Sequence, residues 1–510
     1  MARFYIENFG CRATQADGAA LERQFLERGL ERAGAARDAE IVVLNTCTVT
    51  EGADKDARAS IRRLQRVNPD CRILVTGCYA QRAPEELAAL PGVTWVVGNS
   101  HKHQAAEIAT ASSVPSSRSS GSGSGFVPLG QLAKDQLFLD QAANVIVGDI
   151  FAHTELLAAP VFEAANERTR PNLKVQDGCD NRCSFCVIPY VRGQSRSLPG
   201  ERVIAEVRTL VEAGYREVVI SGINLGRWGR DLESSSQFSV LGSQLNPTTQ
   251  VQRLESLILA VLERTSLEKL RISSVEPMDW SDELIQLVAA SGRIAKHAHV
   301  PMQSGSDAVL RRMHRKYRPW HYREKILKIQ AAMPTAAIGA DVMVGFPGET
   351  EAEFDETRRI IEELPFTYLH VFTYSARPGT PAAEQPGQVL AAVARERNRA
   401  LREIASAKKA AFMRSLVGTV VEAITLQSGG AEFTEALTDN YLKIRISGRH
   451  EANRWLDVKV EEINGEMLWG KPVADSAREP ALNERRWKVV HAAQDSDFGV
   501  YGSGNKRIDV

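Results

Sequence analysis

Short apolar runs and helical patterns alternate along the first hundred residues. The predicted strands are Phe4–Phe9, Ile41–Leu44, Ile73–Val75 and Val93–Val97, and the predicted helices are Ala19–Leu30 and Ala57–Val67. Strands that alternate with helices are typical of a parallel α/β sheet. The hydrophobic pattern therefore predicts an N-terminal parallel α/β domain.

The same alternation returns in the middle of the chain. Its predicted strands are Leu173–Gln176, Glu217–Ile220, Leu270–Ser273, Ala298–Met302, Ile338–Val344 and Tyr368–Phe372. Each strand ends in polar or glycine-rich residues, and helical patterns lie between them. Six strand–helix units predict a second α/β domain whose functional groups lie at the carboxyl ends of its strands.

The pattern changes to short alternating runs after residue 414. Gly418–Ala423, Tyr441–Ile446 and Leu456–Val460 read as strands separated by turn residues. A small five-stranded antiparallel barrel fits this spacing.

The predicted domain bounds follow from these three patterns. They are residues 1–150 with a flexible Ser/Gly-rich insertion near 112–125, 165–410 for the central domain, 411–475 for the barrel and 476–510 for a loose tail.

Composition narrows the class of protein. Lys+Arg and Asp+Glu both total 63, so net charge indicates no partner. No apolar run reaches about 18 residues, and the N-terminus has no signal-peptide pattern, which predicts a cytoplasmic protein without a membrane span. Seven cysteines in such a chain favour metal ligation over disulfides.

The stretch DGCDNRCSFCVIPYVRG at residues 177–193 carries the most specific signal. Cys179, Cys183 and Cys186 form a C-x₃-C-x₂-C pattern. Three thiolates on one loop can hold a 4Fe-4S cluster, and the missing fourth cysteine leaves one iron open for a ligand. A zinc knuckle or structural thiols are the alternatives, but zinc prefers paired C-x₂-C arms and a fourth ligand, which are absent nearby.

This loop resembles that of the radical S-adenosylmethionine superfamily, and with its tail CVIPYVRGQSRS it is similar to the methylthiotransferases. The resemblance implies a partial (β/α)₆ barrel in the central domain. It also implies that the open iron binds S-adenosylmethionine and that one electron from the cluster cleaves it to a radical.

Cys11, Cys47 and Cys78 each follow a predicted strand of the first domain. Carboxyl ends of parallel strands share one edge of the sheet, so these thiols are expected to converge. A single buried cysteine is more often a small core residue, but three at equivalent strand ends predict a second three-cysteine 4Fe-4S cluster. Cys71 precedes its strand and is read as structural. The family's usual Asn after Gly-Cys is absent here.

The resemblance also implies contacts with S-adenosylmethionine. Candidate residues at the ends of the second, third and fifth central strands are Gly222, Asn224, Ser274, Glu276, Gly345 and Gly348. An ordinary turn is the alternative for any one of these positions. Residues 303–306, QSGS, are expected at the substrate end of the barrel.

One basic stretch and the C-terminal barrel raise the question of RNA. Residues 311–325 follow QSGS directly and are either a solvated face or a phosphate contact. The C-terminal barrel resembles the TRAM domain that follows methylthiotransferase catalytic domains and grips tRNA. A generic structural barrel is the alternative.

The motifs SGINLG, RISSVEP, HRKY and YSARPGTPA are most similar to the branch of this family that acts on threonylcarbamoyl-adenosine beside the tRNA anticodon. The resemblance implies a methylthio group added at carbon 2, with two 4Fe-4S clusters and two S-adenosylmethionine molecules. The alternatives are the branch acting on isopentenyl-adenosine, the branch acting on a ribosomal protein aspartate, and a non-catalytic iron–sulfur RNA-binding module. The expected partners are the tRNA anticodon stem-loop and an electron donor such as flavodoxin or ferredoxin, and a monomer is expected.

Overall fold

The computed structural model describes residues 2–111, 138–140, 143–152, 156, 170–232 and 253–473. The Ser/Gly-rich insertion predicted near 112–125 and the tail predicted at 476–510 lie outside these residues. Within the described part of the chain, no helix is both long enough and apolar enough to cross a membrane.

The first domain is built on one sheet. Its elements are β1 (Arg3–Asn8), α1 (Arg12–Glu27), β2 (Glu31–Arg32), β3 (Ile41–Thr46), α2 (Glu51–Val67), β4 (Arg72–Gly77), α3 (Cys78–Arg82), α4 (Pro84–Ala88), β5 (Val93–Val97), α5 (Ala105–Ala111), β6 (Phe138–Asp140) and β7 (Ala143–Ile146), with 3-10 helices at Ala36–Asp38 and Asn99–Gln104. The strand order is β2-β1-β3-β4-β5-β7-β6. All neighbours pair in parallel except β6 and β7. The predicted parallel α/β domain is confirmed.

Two helices begin earlier than the hydrophobic pattern predicted. Helix α1 starts at Arg12. The hydrophobic pattern did not predict its first turns because the buried face there consists largely of small residues, among them Ala13 and Ala16, which carry little hydrophobic signal. Helix α2 starts at Glu51, where the Thr50 side chain accepts a hydrogen bond from the Ala53 amide and so caps the helix.

The central domain follows the strand–helix alternation predicted for it. Its elements are β8 (Asn172–Asp177), α6 (Ile188–Arg192), β9 (Arg196–Ser197), α7 (Gly200–Glu212), β10 (Glu217–Gly222), α8 (Leu254–Arg264), β11 (Lys269–Ile272), α9 (Asp282–Ala290), β12 (His297–His299), α10 (Asp307–Arg312), α11 (Pro319–Ala332), β13 (Ala337–Val344), α12 (Glu351–Glu363), β14 (Tyr368–Thr373), α13 (Pro381–Glu384) and α14 (Ala391–Leu416), with 3-10 helices at Leu225–Arg227 and Pro277–Asp279.

Six parallel strands run in the order β8-β10-β11-β12-β13-β14. β11 and β12 are joined through a bridge between Ser274 and His299. Alternate residues of these strands, such as Leu173, Ile220 and Ile338, pack against the surrounding helices in one large core. The partial (β/α)₆ barrel is confirmed.

The C-terminal strands are β15 (Val420–Gly429), β16 (Phe433–Thr438), β17 (Lys443–Ser447), β18 (Trp455–Asn464) and β19 (Met467–Pro472). They close into a barrel in the order β15-β16-β17-β19-β18. Four of the neighbouring pairs are antiparallel, as expected, and the pair that completes the closure, β17 with β19, is parallel.

Candidate active site: two cysteine triads

The loop that carries Cys179, Cys183 and Cys186 folds back on itself directly after β8. Gly178 has φ +73°, and a Cβ at this position would lie 1.9 Å from the Gln194 carbonyl oxygen, so only glycine fits. The Cys179 amide donates to the Gly193 carbonyl at 3.1 Å and closes the loop.

Two of the three thiols of this loop, Cys179 and Cys186, have a raised pKa. Burial, followed by the charge of Cys183, raises the pKa of Cys186 to about 12. Burial also raises the pKa of Cys179, with Cys183 adding to it. Such thiolates are costly alone and become favourable when a cationic cluster binds them, because metal binding displaces the thiol protons.

Two polar side chains donate to these sulfurs, Asn224 just after β10 and Arg315 from the connection between α10 and α11. Arg315 Nη1 lies 3.1 Å from Cys183 Sγ, and Asn224 Nδ2 lies 3.6 Å from Cys179 Sγ. Hydrogen bonds to ligating sulfur tune iron–sulfur clusters. The arrangement therefore fits a bound cluster.

The structure brings the first-domain thiols together at one edge of the sheet. Cys11 follows β1 at the start of α1, Cys47 follows β3, and Cys78 begins α3 directly after β4. Gly10 has φ +102°, and a Cβ there would lie 2.5 Å from Cys47 Cβ, which shows how closely the first two loops approach. Gly77 has φ +103° and packs as tightly against the Thr46 backbone.

The charges of two of these thiols act on the third. Burial, followed by the charges of Cys78 and Cys11, raises the pKa of Cys47 to about 12. The Asn99 side chain donates to Cys78 Sγ at 3.6 Å. This donor set fits a second three-cysteine cluster, whose presence stays a prediction. Cys71 is buried in the core of the domain.

A short helix connects the two triads. Helix α6 begins two residues after Cys186, and its Val191, together with Val187 just before it, packs against Cys78. Asn99 donates to the Val191 carbonyl at 2.7 Å while it also contacts Cys78. The loop that carries Cys179, Cys183 and Cys186, called the radical loop below, is thus packed directly onto the first-domain triad of Cys11, Cys47 and Cys78.

A buried ion network lies beside this helix. Asp17 of α1 accepts from Lys102 at 2.9 Å, from Arg192 at 2.9 Å and from Lys174. Asp177 accepts from the same Arg192 and Lys174, at 2.9 Å each. Burial alone would raise the pKa of the Asp17 carboxyl, but Lys102, Lys174 and Arg192 hold it well below its usual range. The network therefore ties the two domains together between the triads.

Comparisons with known proteins give the family. Residues 3–98 match the uncharacterized protein family UPF0004, and residues 173–361 match the radical SAM superfamily. The chain is 36% identical to the threonylcarbamoyladenosine tRNA methylthiotransferase MtaB of Bacillus subtilis, over 88% of this chain and 92% of that protein. It is 32% identical to the MtaB protein of Aquifex aeolicus, over 89% and 99% of the two chains.

This chain belongs to the radical S-adenosylmethionine methylthiotransferase family. Its fold is similar to that of the radical S-adenosylmethionine methyltransferase TsrM from Kitasatospora setae, with a TM-score of 0.52, 14% identity and 75% of each chain covered. The family implies a 4Fe-4S cluster and S-adenosylmethionine.

Of the cofactor contacts predicted for this methylthiotransferase, Gly222 and Asn224 lie beside the radical loop. A Cβ on Gly222 would lie 2.8 Å from Gln176 Oε1, and the same oxygen accepts the Asn224 amide at 2.7 Å. Asn224 Oδ1 is buried without a hydrogen-bond partner, next to Cys179. An orphan acceptor at this place fits a bound amino group.

Ser274 and Glu276 follow β11, as predicted. Glu276 pairs with Arg315, the same guanidinium that contacts Cys183. Burial raises the pKa of Glu276, and Arg315 partly offsets this. Ser274 bridges to His299 on the next strand through the backbone.

Gly345 and Gly348 both have left-handed backbones, and at Gly345 the packing also requires glycine. Gly345 has φ +76°, and a Cβ there would lie 2.6 Å from Ala394 Cβ of α14. Gly348 has φ +72° and donates to the Gly387 carbonyl at 2.8 Å. Their contact with adenine stays a prediction.

Sequence reasoning missed the roles of Arg192 and Arg315. Arg315 belongs to the basic stretch read as a solvated face or a phosphate contact, but it is 7% exposed and points at the cluster loop. Other cations of that stretch are paired, as in Arg312 with Glu353 at 2.8 Å and Arg318 with Asp307 at 3.2 Å. The available signal was the HRKY motif at residues 314–317, which contains this arginine. Ser304 and Ser306 of the QSGS turn are buried, and the Ser304 hydroxyl is hydrogen-bonded to the Thr357 hydroxyl of α12.

Proposed function

We propose that this chain inserts a methylthio group at carbon 2 of threonylcarbamoyl-adenosine beside the anticodon of tRNA. The observation that carries the proposal is the pair of cysteine triads packed onto one another through α6. Relatives named as threonylcarbamoyladenosine tRNA methylthiotransferases, at 30–36% identity over most of their lengths, supply the substrate.

Each triad would hold one 4Fe-4S cluster with one open iron. When bound, the cluster at Cys179, Cys183 and Cys186 and its S-adenosylmethionine would supply the one-electron chemistry that activates an unreactive C–H bond, and the cluster at the first-domain triad would supply sulfur. The protein's part is to hold the two sites at a fixed separation and to exclude water.

The chain's own residues suit that part. Asn224 and Glu276 would orient the methionine portion of the cofactor, and Arg315 would fix both Cys183 and Glu276. The Asp17 network joins α1, which begins just after Cys11, to the strand that precedes Cys179. A displaced first domain would therefore disturb both sites.

The C-terminal barrel would grip tRNA. Arg445 lies over the rings of Phe433 at 4.4 Å and Trp469 at 5.5 Å, a combination of cation and flat rings that suits nucleic-acid bases. The reductant would be a flavodoxin or ferredoxin, and the enzyme would act in the cytoplasm as a monomer.

The first experiment counts iron and follows cofactor cleavage. Anaerobically reconstituted protein should hold about eight irons and should cleave S-adenosylmethionine on reduction. Cys183→Ala should abolish that cleavage. Cys47→Ala should keep cleavage, lose about half of the iron and stop sulfur insertion. Cys71→Ala is the matched control, because it removes a buried thiol outside both triads, and it should keep all three properties.

The second experiment identifies the substrate by nucleoside analysis of tRNA from a strain that lacks the gene. Loss of methylthio-threonylcarbamoyl-adenosine supports the proposal. Loss of the dimethylallyl form would instead assign the chain to the activity named for other relatives, such as the tRNA-2-methylthio-N(6)-dimethylallyladenosine synthase of Bacillus subtilis, which is 28% identical over 93% of this chain.

A further inference from the structure

The inner face of the partial barrel is polar, whereas its outer face is apolar. On β12 to β14 the residues Ala298, Ile338 and Val371 belong to the core shared with the helices. Side chains alternate across a strand, so the neighbouring residues point inward. In a closed barrel this interior is filled with branched apolar side chains. Polar side chains here indicate a cavity that receives a ligand.

Three inward side chains from consecutive strands converge. His299 of β12, Asp341 of β13 and His370 of β14 place one nitrogen or carboxylate oxygen each within 4.8 Å of one another. Asp341 and His370 are register partners, and His299 Nε2 lies 3.4 Å from Asp341 Oδ1. The Asp341 side chain is 27% exposed although it lies on a central strand. These groups therefore line open space.

A floor closes the cavity one layer below. His297 Nε2 and the Tyr368 hydroxyl lie 2.7 Å apart. Tyr441 of the C-terminal barrel packs against His297 with ring centroids 4.9 Å apart, and Arg12 donates to its hydroxyl at 3.0 Å. The cavity consequently opens toward the carboxyl ends of the strands, where the radical loop lies.

Flat rings surround the three groups. The His299 and Tyr368 rings are stacked at 5.9 Å, and the His370 ring lies 5.6 Å from His299 and 6.5 Å from Phe372. Phe372 is 46% exposed, an unusual state for an aromatic residue on a barrel strand. An exposed ring beside hydrogen-bonding groups is suited to stacking with a nucleobase.

The charge around His299, Asp341 and His370 disfavours a metal ion. Partial burial lowers the pKa of His370, and His299 and the Arg12 guanidinium lower it further, against the effect of Asp341. A cation would meet that same guanidinium field, whereas a neutral heteroaromatic edge would not. The neutral imidazole offers one donor and one acceptor, and the carboxylate accepts from an N–H group.

We infer that His299, Asp341 and His370 form the pocket that holds the target adenine, with Phe372 stacking on the base. Asp341 accepts a base N–H, and the histidines bond the ring nitrogens or the group attached at N6. This assignment rests on the proposed function and names its base-contacting residues.

The test compares Asp341→Asn and His370→Ala with His321→Ala, a control that removes an exposed histidine from α11. Reconstituted full-length protein is assayed with an anticodon stem-loop that contains threonylcarbamoyl-adenosine. Asp341→Asn and His370→Ala should lower kcat/KM about 10-fold to 100-fold, the effect of losing one hydrogen bond to a charged or enclosed group. Iron content and RNA-independent S-adenosylmethionine cleavage should stay within about twofold of the unmodified protein, and the control should match that protein throughout.

A second arm measures binding without turnover. A stem-loop with a fluorescent adenine analogue beside the anticodon should change its emission on binding the unmodified protein, and His370→Ala should reduce that change. Unchanged kcat/KM in both variants together with unchanged emission in His370→Ala would overturn the inference. A stoichiometric zinc or manganese ion that disappears with His370→Ala would overturn it as well. If the unmodified protein transfers no methylthio group, the proposed function fails, and the emission arm still decides whether a purine occupies this pocket.

Discussion

Replacement of Asp17 by asparagine tests whether the buried ion network holds the two domains together. Asp17 is 1% exposed and accepts from three cations, of which Lys174 and Arg192 belong to the central domain. Asparagine keeps the size of the side chain but removes the charge. Lys174 and Arg192 would then pair only with Asp177, and Lys102 would lose its carboxylate partner in the described network.

The expected loss of stability follows from the charges that stay buried after the replacement. Removal of one partner from a buried ion pair costs about 3–5 kcal/mol, because the other charge stays uncompensated. The amide oxygen of the introduced asparagine would still accept one hydrogen bond, so we expect a value near the lower limit, about 3 kcal/mol. Because the pKa of Asp17 is lowered in the folded protein, its contribution to stability is fully present at pH values above the pKa of an unfolded aspartate. That contribution is lost only as pH falls below the unfolded pKa. The deficit should therefore be constant between about pH 6 and pH 8.

Hydrogen exchange read by mass spectrometry is the suitable assay, since unfolding of a chain with several domains is not a single transition. Amides of α1 and α6 should lose protection by an amount equivalent to about 3 kcal/mol. Glu27→Gln is the control on the same helix, because Glu27 is 63% exposed and pairs with Arg23, which is worth less than about 1 kcal/mol. Equal protection in the two variants would refute the argument that the network joins the domains.

Two further predictions concern the triads. Arg315→Met removes the donor to Cys183 and should lower reductive S-adenosylmethionine cleavage about 10-fold or more, measured as the rate of 5′-deoxyadenosine release; a change of less than about twofold would contradict the contact. Gly10→Ala forces a methyl group to 2.5 Å from Cys47 Cβ and should halve the iron content while cleavage continues. Gly34→Ala, whose methyl would meet open space, should leave the iron content unchanged.

Much of the fold was predictable because its elements are long and strongly patterned. The central strands from Leu173 to Phe372 are apolar on the outer face, which packs on helices, so the hydrophobic signal marked their positions. The start of α1 was missed because a helix face made of alanine and threonine buries well but shows no hydrophobic stripe. The parallel closure of β17 on β19 follows from the route of the chain around the barrel and has no local sequence signal.

The sequence by itself determined the ligand chemistry, since thiol spacing on one loop depends only on residues close together in the chain. The convergence of Cys11, Cys47 and Cys78 could be inferred one step further, because carboxyl ends of parallel strands share an edge. Only the tertiary structure decided which residues surround the triads. Arg315 reaches Cys183 across 132 positions of sequence, and Asp17 reaches Lys174 across 157, so their meeting depends on how the domains pack. The same packing brings His299 and His370 of separate strands to within 4.8 Å of Asp341, because register between strands is set by the whole barrel.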